Sequence, residues 1–237
     1  MFSKLKINFL KHNKVKSYLS YAFGEVVLIV IGISIAVFIN NYIEQQNQEK
    51  LLGTILTNIT SDLETDLQEV DIILDNYKQM EPLFDFVLDS LDAGKSIKEC
   101  PNCPSVLTSA IPFSIRTRGY QQLVNYKEYN LQNTDSLIFS ISNFYSSYLK
   151  LTQIVNDMIL EDTNDNLNYL KVNYPYFKDM FSTDSHPNRM DFFEDNMEFV
   201  NRVALRDILD YSNHVQLLES YKKDSKDVLD NIRQKGD

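Results

Sequence analysis

The sequence predicts an all-α protein: one N-terminal transmembrane helix that extends into an extracytoplasmic helical bundle. Three observations predict it. Ala22–Ile39 is a run of eighteen residues with a single charge, Glu25. Downstream, apolar residues recur at three- and four-residue steps with polar residues between, the period of a helix that buries one face. The 237 residues hold only six Gly and six Pro, few for a β protein rich in tight turns.

Composition narrows the class. An apolar share of 43% with 24% charged residues excludes disorder over the whole chain. The formal net charge of −10 is unevenly spread. Residues 1–17 carry Lys4, Lys6, Lys11, Lys14 and Lys16 and no acid, whereas the remainder is strongly acidic. Such a balance excludes nucleic acid as a partner, which needs a basic face.

The apolar run comes next. At 1.5 Å per residue, eighteen residues span about 27 Å, close to the hydrocarbon thickness of a bilayer. Twelve of them are Val, Ile, Leu or Phe, and their summed insertion energy outweighs one acid near the edge. A cleaved signal peptide is the rival reading, with Ser34-Ile35-Ala36 as a small-x-small site. The apolar run continues through Val37, Phe38 and Ile39, however, and the polar segment after it keeps a helical pattern, so the anchor is expected to be retained. The lysines place residues 1–17 inside and the bulk of the chain outside. Tyr18, Tyr21 and Tyr42 fall where interfacial aromatics belong. The expected divisions are a cytoplasmic arm (1–17), a transmembrane helix (18–42) and an outer helical domain (43–237).

The outer domain reads as a series of helices. Leu52, Ile55, Leu56, Ile59, Leu63, Leu67, Val70, Ile73, Leu74 and Tyr77 form one stripe, so a single helix is expected from about Ser17 to Tyr77. Pro82 is expected to open a short helix to Asp92, followed by a loop over 93–104. Val106–Ala110 and Ser114–Asn125 read as helical, broken at Ile111-Pro112. Asn133-Thr134-Asp135 is a good N-cap cluster for a helix over 134–160, its buried side including Ile141, Tyr145, Leu151, Ile154, Met158 and Ile159. Residues 161–190, polar and with Pro175 and Pro187, read as an irregular excursion. A last helix is expected over 192–231.

The segment Tyr21–Glu44 resembles the opening of an uncharacterised family of single-pass proteins common in Bacteroidota: a basic arm, Gly-Glu, an Ile/Val/Leu run with an internal Gly, and an Asn-rich exit. A second, weaker match is Gly119-Tyr-Gln-Gln-Leu-Val-Asn followed by Leu137–Tyr148. Together they cover about a third of the chain. Cys100 and Cys103 depart from the family pattern. The resemblance implies an inner-membrane protein whose helical bundle is periplasmic, and it implies no activity.

Candidate functional residues are few. Glu25 is an acid within the span, a functional signal by default. It suits contact with a partner helix, proton carriage as in single-span stator subunits, or snorkelling to the headgroups. Gly24, Leu28, Gly32, Ala36 and Asn40 recur every four residues and offer small surfaces for membrane-helix packing. Cys100-Pro-Asn-Cys103 reads as a disulfide candidate outside the cytoplasm, with free thiols, a metal shared between subunits and a redox pair as alternatives. His12, His186 and His214 are scattered, and no metal-ligand spacing is seen. Acidic runs such as Glu161-Asp162 read as solvated surface. Phe144, Tyr145 and Tyr148, with Tyr120, Tyr126 and Tyr129, read first as core and second as a pocket lining. Nucleophile-elbow, phosphate-loop and dinucleotide motifs are absent, so no catalytic residue, cofactor or metal site is expected.

The expectation is a non-enzymatic, membrane-anchored accessory subunit of a larger assembly, with a protein partner or a second copy of itself. Alternatives are a ligand-sensing bundle that signals through a partner, as chemoreceptor-type sensors do, and a stator-like proton-coupled subunit using Glu25. A small-molecule ligand is a weaker expectation than a protein partner.

Overall fold

The computed structural model describes residues 14–91, 93–129, 136–181 and 186–236, and among them every regular element is helical. Five α-helices carry the fold: α1 (Lys14–Asp85), α2 (Arg118–Tyr129), α3 (Ser136–Asn173), α4 (Met197–Asp207) and α5 (Gln216–Gly236). A π-helical segment, Ile208–Val215, joins α4 to α5. Short 3-10 turns occupy Ile97–Glu99, Cys103–Leu107, Phe177–Phe181 and Arg189–Phe192. Most of the basic arm and the Asn133–Asp135 cap cluster lie outside the described residues.

The chain divides into two compact units, Met1–Thr54 and Ile55–Asp237. In the first, the described residues from Lys14 on form one helical stretch whose large apolar side chains, from Tyr18 to Ile43, are exposed. The second has a packed interior. In its α1 portion Ile55, Ile59, Leu63, Val70, Ile73 and Tyr77 are buried at helical spacing. Phe113, Ile141, Tyr145, Leu218 and Tyr221 from later segments are buried as well. At the far end Phe84, Val87, Ile97, Cys103, Leu170 and Phe199 belong to one cluster. Of the aromatics read as core, Tyr126, Phe144, Tyr145 and Tyr148 are buried, Tyr120 stacks on Tyr145 at 4.5 Å, and Phe144 and Tyr148 pack on Tyr221; the Tyr129 side chain lies outside the described residues.

Pro82 lies inside α1 and opens no new helix. Its missing N–H frees the Lys78 carbonyl, and both residues are exposed, so water can take that acceptor. Tyr77, Phe84 and Val87 are buried on either side of the break and hold the helix through it. Helix ends only after the π-turn Phe86–Ser90.

Residues 109–117 are not helical, although Val106–Ala110 and Ser114–Asn125 read as helices in the sequence. Their backbone is claimed by side chains. Asn156 Nδ2 donates to the Phe113 carbonyl at 2.7 Å and its Oδ1 accepts from the Phe113 N–H at 3.3 Å. The Arg116 N–H donates to Asp66 at 3.1 Å.

The third helix does not stop at Leu160 but runs to Asn173, which shortens the irregular excursion. Ile159, Thr163, Asn166 and Leu170 continue its buried face at four- and three-residue steps. Two of these are polar, so the stripe is hidden in the sequence. Conversely, Leu151, Ile154 and Met158, expected inside, are exposed on the outer face. The last long helix begins at Met197, where Asn196 caps it by accepting from the Phe199 N–H at 3.1 Å.

Candidate functional site

Three features carry the residues with chemistry: the apolar half of α1, the Cys100–Cys103 loop and a polar network inside the second unit.

Among the described residues one helix is long and apolar enough to cross a membrane. Its eighteen-residue window has a mean hydropathy of 2.6, and none of it is buried. At about 100° per residue, Glu25, Gly32 and Ala36 fall within an arc of about 40°. Gly24 and Asn40 sit on opposite flanks of that arc, about 160° apart. The four-residue ladder therefore winds around the helix, and the shared face is Glu25–Gly32–Ala36. A Cβ added at Gly24 or Gly32 would meet no atom within 4 Å, so neither glycine is required by this chain's own packing.

Cys100 and Cys103 are joined in a disulfide with Cα atoms 5.4 Å apart. The loop is not featureless. Ser96 opens its first 3-10 turn with a capping box closed by Glu99, and Ile97, Cys103, Val106 and Leu107 enter the core cluster. The bridge thus ties a buried anchor, Cys103, to the more open Cys100.

The third feature is a pair of charged clusters. In the first, Asp66 is fully buried and accepts from the Arg116 guanidinium at 2.6 Å and from the Tyr221 hydroxyl at 2.7 Å, besides the Arg116 N–H. One turn earlier Asp62 accepts from the Gly119 N–H at 2.8 Å and so caps α2 from outside. Burial pushes the Asp66 carboxyl upward, and the hydrogen bonds from Tyr221 and Arg116 oppose it.

In the second cluster Arg206 is 1% exposed. Its Nε donates to Asp210 at 2.9 Å and its Nη1 to Thr163 at 2.7 Å. Nη1 also reaches Asp162 at 3.5 Å, and Nη2 donates to the Ser109 carbonyl. Beyond Asp210 lies Tyr77, whose hydroxyl is 2.8 Å from His214 Nδ1 and 3.4 Å from Asp210. His214 is fully buried, and among the described residues its Nε2 has no hydrogen-bond partner. Burial pushes Asp210 up to about 6 against the pull of Arg206. Burial, then the Arg206 charge, lowers His214 to about 4. Asp210 and His214 both sit, buried, in the π-segment.

A pH dependence follows. His214 titrates at about 4 in the fold against 6.5 ordinarily, so its stabilising contribution is complete above 6.5 and is lost as pH falls toward 4. Asp210 acts in the opposite sense, because the fold takes up its proton near 6, before the unfolded chain does at 3.8. The two largely offset each other. In His214→Gln only the second remains. That variant is expected to be less stable than the parent at pH 7, with the gap narrowing by about 2–3 kcal/mol at pH 4.5 in urea unfolding. A gap equal at both pH values contradicts the assignment.

The sequence pattern reads Glu161-Asp162 as solvated surface, whereas the Asp162 side chain is largely buried beside Arg206, and it singles out neither Asp62 nor Asp66. The signal for Asp66 lay in its place one turn after Asp62 beside the buried stripe. His186 stacks on Tyr176 at 4.4 Å, far in sequence from His214. Among the described residues no group of three His, Cys, Asp or Glu is placed to hold a metal ion.

Residues 25–211 match the model of a family of unknown function (DUF6090). No curated protein and no solved structure matches the chain.

Proposed function

The chain belongs to the DUF6090 family of unknown function, and we propose that it is a non-enzymatic accessory subunit anchored in the inner membrane. Its helical domain faces the periplasm, and its membrane helix packs against another helix, of a partner or of a second copy. The observation that carries this reading is the wholly exposed apolar window of α1. Soluble proteins rarely leave so large an apolar surface in water, and lipid removes that cost.

Orientation rests on the lysine-rich arm and the acidic remainder. The Cys100–Cys103 bridge suits an oxidising compartment. Packing rests on the Glu25–Gly32–Ala36 face, where two small residues let a second backbone approach and an acid seeks a basic or hydrogen-bonding group. The ionic clusters of the helical domain support a non-enzymatic role, since Asp66 and Arg206 are spent on holding backbone segments together.

A photo-reactive residue placed singly at positions 22–40 tests the packing. Protein adducts are expected to peak at 25, 32 and 36 and to fall at 26, 30 and 34. Adducts to lipid alone, or with no periodicity, contradict it.

A further inference from the structure

The second unit contains a cleft that none of the preceding features uses. It has a volume of about 210 Å³ and lies between the turn that follows α1 and the start of α4. Leu91, Ile97, Phe193 and Val200 contribute apolar side chains to it. Lys95 and Asp195 line it as well. Lys95 lies 5.7 Å from the Phe86 ring centroid, and among the described residues it pairs with no carboxylate. Asp195 is exposed, has no hydrogen bond or ion pair among those residues, and is held at φ 51°, in the left-handed region.

The frame around these two groups is fixed. Ser96 Oγ donates to Glu194 at 2.9 Å, and Lys98 pairs with Asp191 at 2.8 Å, which ties the turn after α1 to the turn before α4. Asn196 caps α4 and also donates to the Tyr169 hydroxyl at 3.1 Å. Glu194 and Asn196, which also line the cleft, are thus engaged, while among the described residues the Lys95 ammonium and the Asp195 carboxylate form no ion pair and do not reach each other. The positive end of α4 lies on the Met197 side, which also lines the cleft.

We propose that this cleft binds a small apolar zwitterion, an α-amino acid with an aliphatic side chain. The carboxylate would meet Lys95 and the start of α4, the ammonium would meet Asp195, and the side chain would lie on Leu91, Ile97, Phe193 and Val200. The size fits: the volume is below the roughly 300–1,000 Å³ of pockets for drug-sized ligands. A few polar groups beside apolar side chains in a concave site are the general signature of a small-molecule site. The inference concerns the helical domain and does not depend on the membrane reading.

Calorimetric titration of the full chain in nanodiscs tests it, with L-leucine, leucine amide and N-acetylleucine as probes. Leucine is expected to bind saturably below about 10 mM, and each blocked analogue at least about tenfold more weakly. Lys95→Met is expected to abolish the preference for leucine over leucine amide, and Asp195→Asn the preference over N-acetylleucine. Both side chains are exposed, and Asn tolerates the left-handed backbone, so the variants should melt with the parent. No saturable leucine binding, equal binding of leucine and either analogue, or preferences unchanged in both variants overturns the assignment.

Discussion

Arg206→Met is expected to destabilise the helical domain by about 3–5 kcal/mol, the usual cost of removing one partner from a buried charge pair. The guanidinium holds Asp210, Asp162, Thr163 and the Ser109 carbonyl from a position 1% exposed. Methionine fills most of the volume but leaves Asp210 buried without its cation. Guanidinium unfolding of the detergent-solubilised chain, followed by circular dichroism, reads the loss. Arg206→Lys should recover little, because one ammonium cannot fork across acceptors from three segments. Adding Asp210→Leu to Arg206→Met should recover part of it, since the stranded carboxylate is then gone. A single-variant loss under about 1 kcal/mol contradicts this role for Arg206.

Gly119→Ala is the second large effect. A Cβ there would lie 2.6 Å from the Ile59 backbone N and 2.9 Å from the Asn58 carbonyl carbon. Backbone cannot swing aside as a side chain can, so α2 must move off α1 and the Asp62 bond to the Gly119 N–H is stretched. The expected loss is about 3 kcal/mol or more, at the upper end for an overpacked site. Gly53→Ala is the control: its added methyl meets no atom within 4 Å, and in a helix interior it should stabilise by about 0.5–1 kcal/mol. Thermal melts of both variants check the contrast, and a Gly119→Ala protein as stable as the parent contradicts the close approach.

These two sites show which parts of the fold were legible in advance. The apolar window and the Ile55–Tyr77 stripe were plain, because burial there uses apolar side chains at regular spacing. The last third of α3 was not, because Thr163 and Asn166 face inward to serve Arg206 and Arg202. The non-helical 109–117 segment was equally hidden, since Asn156 and Asp66 compete for its backbone from distant helices. Leu151, Ile154 and Met158 misled in the opposite direction, as apolar residues on a face that stays exposed. Gly119 stands out in sequence only within a resemblance, and its reason, close approach to the α1 backbone, is tertiary. The zwitterion cleft draws on 91–97 and 193–200, two segments that no local pattern connects. For the membrane segment, the four-residue ladder is visible in sequence, but helical geometry keeps only Gly32 and Ala36 of it on one face with Glu25.

Anchoring requires α1 to stay attached and to stay in lipid. Alkaline carbonate washing of membranes from cells making the full chain, with N-terminal sequencing of the washed protein, decides it. The chain is expected in the pellet with its lysine-rich arm intact. Release into the supernatant, or a mature N-terminus after Ala36, contradicts it.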